Sequence, residues 1–196
     1  MTSKDDILKS IRAQRVPPAE LPSLDGPWIE YPDRVAQFAA LLESVGGKCV
    51  RIPDFESINS HLARMPEYTG AKKIVSCVAN VGAPNVEISS LETPHELDDV
   101  DFAIVSGEFG VCENGAVWVT DQGLRHRAIY FLAQHLAMVL PADALVDNMH
   151  QAYQKLKFSE PRFGAFLCGP SKTADIEQSL VIGAHGPRSM CVFLIG

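Results

Sequence analysis

Residues 33–52, DRVAQFAALLESVGGKCVRI, run from Asp33 to Ile52 and contain one change of hydrophobic period. Val35, Phe38, Leu41 and Leu42 recur at helical spacing, so Asp33 to Val45 is predicted as a helix with one apolar face. Gly46-Gly47 ends it, because glycine accepts the left-handed backbone that closes a helix. Lys48 to Ile52 then reads as a strand. The alternation continues with a helix over Phe55 to Arg64 and a short buried strand over Lys73 to Cys77. Further strands are expected at Asp101–Val105, Gly115–Thr120, Leu136–Leu140 (stopped by Pro141), Phe163–Cys168 and Met190–Ile195. Helices are expected at Asp143–Leu156 and Asp175–Ile182. Helices between strands imply parallel pairing through crossovers. Upstream, Lys4 to Arg15 places Ile7, Leu8 and Ile11 on one helical face, and Pro17, Pro18, Pro22 and Pro27 then break regular structure. The expectation is a single α/β domain over residues 31–196, its mainly parallel central sheet flanked by helices. Residues 1–30 form an N-terminal helix and proline-rich arm.

Size and charge narrow the function. A chain of 196 residues fits a prior of roughly 150 residues per domain, enough to bury a core without disulfides or a structural metal. Lys and Arg number 17 against 24 Asp and Glu, a net charge of −7 with no basic stripe, which argues against nucleic-acid binding. The most apolar stretch, Ala128 to Val146, is interrupted by Gln134, His135, Pro141 and Asp143, so no membrane span is expected. The charged N-terminus lacks an apolar signal core. The five cysteines, Cys49, Cys77, Cys112, Cys168 and Cys191, are scattered, and no C-x-x-C occurs. Iron–sulfur and zinc-ribbon chemistry therefore lose their usual spacing, and no glycine-rich dinucleotide fingerprint follows a strand. No cofactor and no metal site are expected, and the compartment is expected to be the cytoplasm.

Three segments can carry chemistry. In Cys168-Gly169-Pro170-Ser171-Lys172-Thr173-Ala174-Asp175-Ile176-Glu177-Gln178, a strand runs into a Gly-Pro turn, then hydroxyls and carboxylates open the expected helix. Its free N–H groups could hold an anion. Alternatively, Ser171 or Thr173 caps the helix while Asp175 and Glu177 favour its dipole. Gly183-Ala184-His185-Gly186-Pro187-Arg188 displays His185 on a loop, as acid, base or anion contact, or as a solvated residue. In Gly110-Val111-Cys112-Glu113-Asn114-Gly115-Ala116, a carboxylate precedes an Asn-Gly turn; the segment is a hairpin turn or presents Glu113 to a cleft. His135 stands just before a strand. Such strand junctions are expected to gather at the carboxyl ends of the strands. Glu113, His135, Thr173, Asp175, Glu177 and His185 would then line one cleft, with Ser171 positioning the loop.

The run from Gly169 to Glu177, followed by Gly183-Ala184-His185-Gly186-Pro187, resembles the closing signature of the LUD-domain family, the LutC/YkgG group of lactate-utilisation proteins. Two further features fall in the family's order. One is a glutamate before a small-residue turn (Glu113-Asn114-Gly115, with asparagine where threonine is usual). The other is a histidine entering a strand that ends at Pro141. The resemblance spans roughly Val35 to the C-terminus. It implies the NagB/RpiA/CoA transferase-like fold, shared by ribose-5-phosphate isomerases, glucosamine-6-phosphate isomerases and CoA transferases. It also implies participation in a multi-subunit system that oxidises L-lactate to pyruvate. Without ferredoxin-type motifs, this chain resembles the cluster-free component, an accessory or substrate-binding subunit beside iron–sulfur partner subunits.

On that reading Glu113 and His185 are the catalytic candidates. His135, Ser171, Thr173, Asp175 and Glu177 are the candidate contacts for a small carboxylate. Two alternatives stand beside it. Glu113-Asn114-Gly115 resembles the Glu-Asn-Gly of class I CoA transferases, so an acyl- or CoA-transfer enzyme using Glu113 is one. A sugar-phosphate-binding module on the same fold is the other.

Overall fold

The computed structural model describes residues 3–14, 19–20, 22–156, 163–174 and 180–196. In chain order the helices are α1 (Ser3–Ala13), α2 (Arg34–Ser44), α3 (Phe55–Leu62), α4 (Pro66–Thr69), α5 (Ile129–Leu132) and α6 (Met149–Lys155). The strands are β1 (Lys48–Ile52), β2 (Ile74–Ser76), β3 (Phe102–Ser106), β4 (Phe109–Val111), β5 (Ala116–Thr120), β6 (His135–Pro141), β7 (Leu145–Val146), β8 (Gly164–Leu167), β9 (Lys172–Ala174), β10 (Leu180–Ile182) and β11 (Ser189–Ile195).

Five strands form the central sheet in the order β1-β11-β6-β3-β2, and every neighbouring pair is parallel. The inner strands are unbroken apolar runs because both their faces are covered. Along β6, Leu136, Met138 and Leu140 enter one core cluster while Ala137 and Val139 enter the other. Along β11, Val192 and Leu194 part from Cys191 and Phe193 in the same way. Ile58 and Leu62 of α3 cover the second face; Phe38 and Leu42 of α2, with Val117 and Val119 of β5, cover the first. A side chain such as Phe193, fully buried here, contributes about 2 kcal/mol by leaving water.

The segment that opened the argument folds as its pattern requires. Asp33 caps α2 by accepting from the Ala36 N–H at 2.9 Å, and Gly46 closes it at φ +88°. The Asn-Gly segment is a hairpin: β4 and β5 pair antiparallel, and Gly115 takes φ +71°. A smaller sheet, β7-β4-β5-β8, is built around that hairpin.

Two expected helices are corrected. Over Asp143–Leu156, residues Ala142–Ala144 make a 3₁₀ turn, β7 pairs with β4, and only Met149 onward is helical. Asn148 decides the boundary, its side chain accepting from the Gln151 N–H at 3.0 Å as an N-cap. The helix expected over Asp175–Ile182 ends instead in β10, which pairs antiparallel with β9. Thr173, read as an opener of that helix, lies in β9; residues 175–179 lie outside the described residues. No helix of the described residues is long and apolar enough to cross a membrane.

Candidate functional site

Parallel strands share a polarity, so a residue just before a strand and one just after it lie at opposite edges of the sheet. His135 begins β6 and Ser189 begins β11, and the two are register partners. The imidazole Nδ1 of His135 lies 2.8 Å from the Ser189 hydroxyl. Burial pushes the His135 pKa below its ordinary value, Glu67 and Asp101 oppose that shift, and Arg188 adds to it. On α4, one Glu67 oxygen lies 3.5 Å from the Lys48 ammonium, while Oε2 is buried with no hydrogen-bond partner among the described residues. Asp101 accepts from the backbone N–H groups of Lys72 and Lys73 at 2.7 and 2.9 Å. A polar group thus surrounds the amino ends of β1, β3, β6 and β11.

The glycine-rich segments reach the same edge. The Ser171 N–H donates to the Pro187 carbonyl at 2.8 Å, and the Ser171 carbonyl accepts from the Gly183 N–H at 2.9 Å. The Arg188 N–H donates to the Gln134 carbonyl at 2.7 Å, tying this loop to the residue before His135. A Cβ on Gly186 would meet the Ser171 side chain at 3.0 Å, so the loops pack closely. His185 is exposed on that loop. Ser171, His135 and the His185 loop are therefore brought together, but at the amino edge rather than the expected carboxyl edge. Junctions before and after a parallel strand lie at opposite edges, a distinction that a list of polar segments does not carry. Asp175 and Glu177 lie outside the described residues.

Glu113 is placed differently. Its Oε2 accepts from the Met149 N–H at 2.8 Å, so the carboxylate serves the first turn of α6. The turn reaches the Cys168 segment through the Asn114 carbonyl, which accepts from the Cys168 thiol at 2.9 Å. Among the described residues no hydrogen bond joins Glu113 to His135 or His185.

The carboxyl edge holds a crevice the sequence reading did not name. A cavity of about 390 Å³ is lined by Cys77, Ser106, Glu108, Thr120, Gln122 and Tyr130, among others. An adjoining cavity of about 430 Å³, around the turn after β2, shares Cys77, Gly123 and Leu124 with it. The Thr120 hydroxyl donates to Glu108 Oε1 at 2.6 Å, and the Tyr130 hydroxyl donates to the Thr120 carbonyl at 2.8 Å. Burial pushes the Cys77 thiol up to about 11, which leaves it protonated and a poor nucleophile at neutral pH. The signal for this crevice was available: Ser106-Gly107-Glu108 directly follows the carboxyl end of an apolar strand. A cavity of about 460 Å³ beside Arg34 and Asp147 is less suited to a ligand, because those two charges are engaged with each other. Among the described residues no group of three or more His, Cys, Asp or Glu side chains is placed to hold a metal ion.

Comparison with known proteins follows the same lines. The LUD domain family model matches residues 69–195, more than half of the chain. A lactate utilization protein C from Shouchella clausii is 31% identical over 105 residues, covering 51% of this chain and 46% of that protein. The protein of that name from Bacillus pumilus is 30% identical over 117 residues, covering 57% and 49%. The matched segments thus span about half the length of these curated relatives. A solved DUF162 family protein from Deinococcus radiodurans is 18% identical, with a TM-score of 0.61 over 83% of this chain and 96% of that one. At that identity the likeness shows the fold alone.

Proposed function

The chain belongs to the LUD-domain family, and from that membership we propose that it is a component of an L-lactate utilisation system, contributing as a cluster-free accessory or substrate-binding subunit. The observation that carries the reading is the match to proteins named lactate utilization protein C. Iron–sulfur partner subunits would then supply the electron acceptor for the oxidation of lactate to pyruvate. The five free cysteines fit a reducing compartment, which supports placement in the cytoplasm.

Within this reading His135, Ser171, Thr173, Asp175 and Glu177 contact the small carboxylate and Glu113 and His185 are the catalytic candidates; of these, His135, Ser171 and the His185 loop meet at the amino edge. The support is the backbone linkage of Ser171 to the His185 loop, and of that loop to Gln134 beside His135. Arg188 is exposed at the same edge and offers a cation for a carboxylate.

The test is growth on L-lactate as sole carbon source. Deleting the gene should abolish that growth while leaving growth on pyruvate intact, and the wild-type chain should restore it. His185→Ala and Glu113→Gln should fold with a stability cost within about 1 kcal/mol, since neither removes core volume, yet fail to restore growth. Unimpaired growth of the deletion strain on L-lactate overturns the function. Full restoration by both variants overturns the site.

A further inference from the structure

We propose that Ser189 is a positioning residue that keeps the His135 proton on Nε2, so that His135 serves the amino-edge site as a hydrogen-bond donor and not as a base. The ligand class rests on the lactate reading; the position of the proton does not.

His135 and Ser189 open β6 and β11 as register partners, and Phe102 of β3 is the partner of His135 on its other side. Alternation along β6 and β11 puts both side chains on the face that carries Ala137 and Cys191, the face α3 covers. The Phe102 ring centroid lies 6.4 Å from that of the imidazole. The imidazole is thus flanked by residues of two neighbouring strands.

The imidazole Nδ1 and the Ser189 hydroxyl are 2.8 Å apart. A hydroxyl has one proton to donate, and among the described residues Nδ1 is its hydrogen-bond partner. With Nδ1 accepting, the neutral ring carries its proton on Nε2, because the bond made by one nitrogen sets the state of the other. The opposite tautomer would aim Nδ1–H at the hydroxyl and leave the serine proton without an acceptor among those residues.

The charged groups acting on His135 are Glu67, Asp101 and Arg188. Glu67 Oε1 lies beside Lys48, and Oε2 has no hydrogen-bond partner among the described residues, so Nε2–H is not spent on it. Asp101 accepts from the Lys72 and Lys73 N–H groups. Burial outweighs the two carboxylates and favours the uncharged ring. Nε2–H is therefore left for a ligand, at an edge where Arg188 is exposed. An N–H donor and a guanidinium together suit a carboxylate. A base here would need a bare nitrogen, and Ser189 occupies it.

Nitrogen NMR of the imidazole rings in the full chain, without ligand, reads the tautomer directly. At pH 7 the wild type should show His135 with Nε2 protonated and Nδ1 bare. Ser189→Ala should mix the two tautomers, and Ser189→Thr, which keeps the hydroxyl, should restore the wild-type pattern. L-Lactate binding should weaken about fivefold in Ser189→Ala and recover in Ser189→Thr. Should the variants not fold, the wild-type spectrum alone decides. A proton on Nδ1 in the wild type, or an unchanged tautomer in Ser189→Ala, overturns the inference. A wild type with its proton on Nε2 that binds no L-lactate upholds the role of Ser189 and overturns the carboxylate reading of the site.

Discussion

Asp147 is fully buried, and its carboxylate holds residues 31–34 against the body of the domain. It accepts from the Tyr31 N–H at 3.0 Å and from Arg34 Nε at 2.9 Å, with Arg34 Nη2 on its other oxygen. The Arg34 guanidinium holds the Asp147 pKa well below its ordinary value, to about 2. A depressed carboxylate pKa gives stability that is complete above the ordinary value of 3.8 and is lost as pH falls through the folded value. Asp147→Ala should cost about 3 kcal/mol in urea unfolding at pH 7, because it strands the Tyr31 N–H and leaves Arg34 without its partner. Asp147→Asn should cost less, and the gap between it and the wild type should shrink as pH falls from 4 towards 2. An equal gap at both pH values would show that the charge is not what matters. In the sequence this aspartate read as one residue of a long helix, since nothing local marks a partner 113 positions away. The Gly115 turn was legible, by contrast, because an Asn-Gly step states its own backbone requirement. A Cβ there would lie 2.8 Å from the Leu42 backbone nitrogen.

At the scale of elements, the segment 142–156 shows how an apolar period can mislead. Ala144, Leu145, Met149, Ala152 and Leu156 satisfy helical spacing, yet Leu145 and Val146 pair with Gly110 and Val111 of β4. The strand wins because Val111 and Val146 are completed by tertiary neighbours such as Phe109 and Ala152, which the local pattern cannot display. Asn148 carried the true signal. Its Oδ1 caps α6, and its Nδ2 donates to the Ile29 carbonyl at 2.8 Å. Asn148→Ala should therefore cost about 1–2 kcal/mol, since it removes a cap and a bond to the segment before α2. Asn148→Asp keeps the cap alone and should recover roughly half of that loss by thermal or urea unfolding. No recovery would mean that the Ile29 contact carries the effect. The β9–β10 pairing is hidden for a related reason: hydroxyls and carboxylates after Gly169-Pro170 have the composition of a helix opening, whereas Lys172–Ala174 pair antiparallel with Leu180–Ile182.

Across the whole molecule, the described residues of α1 bury no side chain, whereas Trp28 stacks on His150 with ring centroids 3.5 Å apart. We place the working boundary of the body near Trp28, close to the limit read from the four prolines. Brief proteinase K digestion should cut before Trp28 and leave a resistant fragment through to the C-terminal strand. A first cut inside residues 31–196 would overturn that division. The sequence by itself determined the fold class and the family. Unbroken apolar strands between amphipathic helices have few ways to bury both faces of a sheet, and the Gly169–Glu177 and Gly183–Pro187 signatures are contiguous in the chain. Only the tertiary structure decided which edge each polar segment occupies. Strand polarity sends His135 and the His185 loop to the amino edge and Ser106 and Glu108 to the carboxyl edge, and hydrogen-bond direction there depends on neighbours far apart in sequence.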